Sequence, residues 1–197
     1  ASSTSLTGGV FPRWALAGGR DATLEMMDDS DLRARLREGI DWNIKSFMGS
    51  ADRVLMAAYG PDHGREGQRL DEIADEMGCD PAEAAIKLYE GGDASIIQFS
   101  LREDDMALIA RDPFISVASD GNSVRSEGPL SGGKPHPRSY GTFSRFLSEM
   151  RRNKGLVSLE EAVRKMCALP ASRLQLTRRG RVVPGCYADV VVFNPDT

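Results

Sequence analysis

Asp120 follows the apolar run Ile115 to Ser119 directly and precedes Gly121. In α/β folds the carboxyl end of a strand is a rigid platform facing the ligand crevice, so a carboxylate there is placed to act as acid, base or ligand. An Asp-Gly pair is also an ordinary way to bend a chain, and both readings stand at this point. Further on, Lys134, His136 and Arg138 fall within five residues, stiffened by Pro135 and Pro137, with Tyr140 ahead of Gly141. Cations beside a strand-end carboxylate suit an anionic substrate, because a guanidinium fork binds a carboxylate through two parallel hydrogen bonds. The alternative is a solvated loop whose charges do nothing.

Other chemistries lack their residues. A hydrolytic zinc centre takes three protein ligands or more, and the two histidines, His63 and His136, are far apart and have no HxH or HExxH spacing. The chain therefore does not build such a centre unaided. The serines sit in no GxSxG elbow, and neither a P-loop nor a GxGxxG fingerprint occurs. Cys79, Cys167 and Cys186 form no CxxC pair and leave an odd count, so a reducing cytoplasm is the expectation. The net charge is −4 and the basic runs are short and interleaved with acids, which argues against nucleic acid as a partner. No apolar stretch reaches the length of a membrane span, so no membrane partner is expected either.

The elements that must position these groups can be read from periodicity and caps. A helical pattern runs over 21–40, with Leu32 and Leu36 four apart and acids at Asp28 to Asp31. Residues 53–58 (RVLMAA) read as a buried strand closed by Tyr59-Gly60-Pro61. Two scaffold helices follow, over 67–78 and 81–90, the second with Asp80 at the cap and Pro81 in the first turn. Residues 95–99 and 115–119 predict strands, 102–111 a helix between them, and 121–142 a loop too long for a plain connector. Helices are expected over 143–152 and 159–169, the latter opened by the Ser158/Glu161 capping box. The β-branched run Ala188 to Phe193 predicts a buried strand. The chain has 197 residues, 41% of them apolar, and begins at Ala1 in a Ser/Thr-rich run; it reads as an α/β piece of a larger protein.

Four stretches carry a resemblance: ISVASDG, GKPHPRSYGTF, SLEEAVRKMCALPASRL and RGRVVPGCYADVVVF. Together they resemble the carboxyl-terminal part of the amidohydrolase superfamily and, more narrowly, the N-acyl-D-amino-acid deacylases (D-aminoacylases). The closing motif, Gly180 to Phe193, is general to the superfamily, while HPRSYGTF after SDG is more discriminating.

The resemblance implies the carboxyl-terminal portion of a metal-dependent (β/α)8 barrel, with zinc as cofactor and its other ligands in the rest of the amidohydrolase polypeptide. It places residues 1–94 as an α-rich insertion or lid between the last two barrel strands. Residues 95–177 become the last strand with the closing helices, and 178–197 the return to a small β-sandwich. By the same resemblance, Asp120 is a metal-site residue and general base. Arg138 and Ser5 contact the carboxylate of a small-molecule N-acyl-D-amino acid, and His136 is a loop residue with a secondary substrate contact. Two rival functions remain open: a cyclic-amide hydrolase of the dihydroorotase or hydantoinase kind, and a non-catalytic module binding an acidic small molecule. The 197 residues by themselves are expected to be inactive.

Overall fold

The computed structural model describes residues 2–195, so the outermost residues of the segments 1–94 and 178–197 lie outside it. The chain divides into two units. The first holds the residues up to Leu101 together with Val124–His136; the second holds Arg102–Ser123 and the residues from Pro137 on.

In the first unit, strands β1 (Ser2–Ser5), β2 (Val54–Ala58) and β3 (Ser95–Gln98) form an antiparallel sheet in the order β1-β3-β2. Ile97 is the partner of both Ser3 and Leu55, and a bulge interrupts β2 between Met56 and Ala58. The apolar runs at 53–58 and 95–99 thus become strands as expected. Helices α1 (Leu6–Val10), α2 (Gly19–Met27), α3 (Ser30–Asn43), α4 (Leu70–Met77) and α5 (Pro81–Gly91) accompany the sheet.

The helical pattern over 21–40 resolves into two helices because Asp29 accepts from the N–H groups of Asp31 and Leu32 and starts a new one. The chain then winds on in wider π-type turns to Met48 and stops at Gly49, whose φ of +90° a side chain would disfavour. Asp80 caps α5 by accepting from the Glu83 N–H at 3.0 Å, with Pro81 at the first turn as read. Leu6, Val10, Leu36, Ile40, Ile86 and Ile96 lie fully buried in one apolar core. Arg33 on α3 clasps Glu83 and Glu90 of α5, both at 2.6 Å.

The second unit is helical: α6 (Glu103–Arg111), α7 (Arg138–Arg145) continuing in wide turns to Asn153, and α8 (Leu159–Val163) leading through Arg164–Ala168 into α9 (Leu169–Arg173). Ser158 accepts from the Glu161 N–H at 3.2 Å, the cap read from sequence. The core here is small: Ala110, Phe146, Met150 and Ala162, flanked by Met106, Val117, Leu147 and Met166. No helix among the described residues is long and apolar enough to cross a membrane.

Two expected strands are corrected. Residues 115–119 and 188–193 take no strand pairing among the described residues. Val190, Val191 and Val192 are 60%, 82% and 93% exposed rather than buried. A β-branched run favours the extended form, but a strand exists only where a neighbour supplies the ladder, and neither segment has one here. The loop is also shorter than read, since helix α7 already begins at Arg138.

Candidate active site

Asp120 is delivered by segment 115–119, which is anchored at its middle. The Val117 N–H donates to the Lys165 carbonyl at 3.1 Å, and the Val117 side chain packs against the small core. Asp120 itself has φ +47°, the left-handed region that aspartate tolerates better than most residues. The chain thereby turns sharply at the carboxylate. Ser119 Oγ accepts from the Gly121 N–H at 3.2 Å and braces that turn.

The start of α7 meets the turn directly. The Arg138 guanidinium lies 2.9 Å from Asp120 Oδ2, with the arginine side chain 23% and the aspartate side chain 84% exposed. One residue further, Ser139 Oγ accepts from the Asn122 N–H at 3.2 Å. The backbones touch here: a Cβ on Gly121 would lie 2.9 Å from Ser139 Cα. Glycine at 121 is therefore required by close approach, whatever its part in bending the chain. Helix α7 carries a break at Gly141 (φ −138°, ψ 17°), and Thr142 Oγ1 donates to the Arg138 carbonyl at 3.0 Å across it.

The other candidates are placed differently. The Lys134 N–H donates to the Ala57 carbonyl at 2.6 Å, so that part of the loop lies along β2 in the first unit, and half-buried His136 belongs to the same unit. Of the loop's basic residues, Arg138 is ion-paired with Asp120. Ser5, also in the first unit, caps α1 by accepting from the Gly8 N–H at 2.9 Å. The Thr7 hydroxyl donates to Asp93 Oδ2 at 2.7 Å, since an ionised carboxylate only accepts. Its proton is committed, so Ser5 is the donor across the 3.0 Å Ser5–Thr7 contact. To reach a substrate carboxylate, Ser5 would first have to turn its hydroxyl away from Thr7.

Zinc is the metal the resemblance implies, and the described residues do not fit it by themselves. Among them no three His, Cys, Asp or Glu side chains cluster as a metal-holding group. Asp120 is a single carboxylate with a guanidinium beside it. The second unit also has a cavity of about 730 Å³ lined by Phe143, Leu147, Val163, Met166, Val190 and Val191 among others; neither Asp120 nor Arg138 is on its wall. The Asp120–Arg138 pair at the turn is thus separate from this cavity.

Sequence reasoning passed over two groups: Ser139, which stitches the turn to α7, and Lys165. For Lys165 a signal existed, because a lone cation sits between Ala162 and Met166 on the apolar face of an otherwise amphipathic helix.

Residues 125–197 match the amidohydrolase family model. Over most of its length the chain is similar to N-acyl-D-amino-acid deacylases. It is 39% identical over 145 residues to the N-acyl-D-glutamate deacylase of Alcaligenes xylosoxydans xylosoxydans, covering 74% of this chain and 27% of that protein. With the N-acyl-D-aspartate deacylase of the same organism it shares 36% identity over 203 residues, covering 94% of this chain and 38% of the relative. Among solved structures, N-acyl-D-glutamate deacylase from Bordetella bronchiseptica, complexed with zinc and a phosphonate mimic of the tetrahedral intermediate, superimposes with a TM-score of 0.66. That match has 36% identity and covers 77% of this chain and 30% of that one. The chain therefore spans between 27% and 38% of the length of these two curated relatives.

Proposed function

We propose that these residues are the carboxyl-terminal part of a zinc-dependent amidohydrolase that hydrolyses the amide of N-acyl-D-amino acids, releasing a D-amino acid and a carboxylic acid. The observation that carries the reading is the Asp120–Arg138 pair at 2.9 Å, in a chain 36–39% identical to deacylases of acidic N-acyl-D-amino acids. Asp120 is the general base and a metal-site residue, taking a proton from the attacking water and returning it to the leaving amine. Arg138 holds the substrate carboxylate; a guanidinium has five N–H donors and can engage more than one acceptor. The metal's other ligands belong to the rest of the polypeptide.

The same reading places the chain at the end of a (β/α)8 barrel. Residues 1–94 are its insertion or lid between the last two barrel strands, and residues 95–177 hold the last strand with the closing helices. Residues 115–119, without strand pairing among the described residues, become the last strand once the rest of the barrel is present, and residues 178–197 begin the return to a small β-sandwich. The free thiols Cys79, Cys167 and Cys186 suit a reducing cytoplasm.

The test uses the full-length polypeptide. Asp120→Asn is expected to abolish turnover while substrate still binds, and near-normal turnover refutes the assignment. Arg138→Ala removes charge-assisted hydrogen bonds worth about 1.5–3 kcal/mol each and is expected to raise KM roughly ten- to a hundredfold. An unchanged KM refutes that role. Ser5→Ala and His136→Ala are expected to raise KM by less. Hydantoins as preferred substrates would favour a cyclic-amide hydrolase, and a metal-free product that binds acidic ligands would favour a binding module.

A further inference from the structure

Lys165 is 1% exposed, among the most deeply buried side chains described. A charged ammonium taken out of water costs free energy unless it is paired or well hydrogen-bonded. Here the partners are two main-chain carbonyls: Nζ donates to Asp112 and, at 2.9 Å, to Ile115. The Lys165 carbonyl in turn accepts from Val117 N–H at 3.1 Å. Its neighbour Arg164, held by Glu161 at 2.6 and 2.8 Å, donates to the Pro113 carbonyl at 2.5 Å. Four backbone groups between 112 and 117 are thus tied to two consecutive residues. Both lie in a π-type turn of the helix, a geometry frequent at functional sites.

The segment so held is the one that presents Asp120. We infer that Lys165 is a positioning residue for Asp120, acting through the backbone of 112–117. A methionine would fill the same space without the desolvation cost, but it offers no donor and leaves the Asp112 and Ile115 carbonyls unmade. Arg164 is more exposed, and water can replace its single contact, so the lysine carries the constraint.

This inference rests on the proposed role of Asp120, and its test separates the two. In the full-length polypeptide, Lys165→Met is expected to lower kcat roughly ten- to a hundredfold with KM within about twofold, since sub-ångström to 1 Å misplacement of a reacting group has effects of that size. Hydrogen exchange at the Val117 amide is expected to accelerate at least about tenfold. Lys165→Arg, which keeps the donors, is expected to restore most of both losses, and Arg164→Gln to change kcat by less than about threefold.

A Lys165→Met protein with normal kcat, or with a lowered kcat but unaltered Val117 exchange, overturns the inference. If that variant fails to fold, Lys165→Arg decides. A recovered fold with protected Val117 and kcat near wild type supports the clamp, and unprotected Val117 refutes it. Should Asp120→Asn keep full turnover, the functional reading fails, while Val117 exchange continues to test the clamp by itself.

Discussion

Replacing Gly121 by alanine probes the meeting of the two site segments. The added Cβ would sit 2.9 Å from Ser139 Cα and 3.4 Å from the Arg138 carbonyl oxygen. Carbon atoms rest at about 3.5–4.0 Å, so the two backbones must part by roughly 0.6–1.1 Å. Neither can yield by rotating a side chain, because the closest atom is main-chain. The Asn122–Ser139 hydrogen bond, already 3.2 Å, would then exceed hydrogen-bonding distance, and the 2.9 Å Asp120–Arg138 contact would loosen. Overpacking costs about 1–3 kcal/mol in cores, and the exposure of this turn puts the expected loss near 1 kcal/mol. A protein stable by several kcal/mol stays folded through such a loss.

Catalysis is less forgiving, since a displacement of about 1 Å costs on the order of a hundredfold in rate. The expected signature is a large fall in kcat with a small fall in stability. Steady-state kinetics on the full-length polypeptide, beside urea unfolding, reads both quantities. A Gly121→Ala protein with kcat within twofold of wild type and an unchanged unfolding midpoint refutes the claimed close approach.

Two further expectations concern stability. Gly180 has φ +79°, and a Cβ there would meet Ala171 Cβ at 2.5 Å and the Cys167 carbonyl oxygen at 2.8 Å. Gly180→Ala is expected to cost about 2–4 kcal/mol by strain and clash together, against about 1 kcal/mol for Gly185→Ala, where φ is +88° and the space is open; paired thermal melts check the difference. Hydrogen bonds from Lys154 and then Arg145 hold the Glu103 carboxyl below the ordinary glutamate range. Its stabilisation is thus fully present above about pH 4.3 and is lost as pH falls through the lower folded value. Glu103 is more than half exposed, so the effect is a few tenths of a kcal/mol, visible as a flatter acid limb in Glu103→Gln.

What the sequence revealed was local. Asp80 with Pro81, and Ser158 with Glu161, announce their helices because a cap is made by neighbours in the chain. Residues 54–58 and 95–98 were legible as strands and also have partners in one another. The runs 115–119 and 188–193 look the same in sequence, but pairing depends on a distant neighbour that periodicity does not report.

At the site, the sequence pointed to a cation beside Asp120 without choosing among Lys134, His136 and Arg138. The choice is made by the course of the loop, with Lys134 bonded to Ala57 and Arg138 opening α7. Such a path depends on contacts far apart in sequence. Lys165 was legible as a lone charge on an apolar face, but the carbonyls it serves became visible only in the fold.

The bare valines near the carboxyl end also bear on handling. Three successive β-branched residues, wetted on most of their surface, have the propensity to pair with any similar strand. Preparations of these 197 residues are therefore expected to be sticky, clumping as concentration rises. A charge introduced at Val191 would act as a gatekeeper and keep them monodisperse.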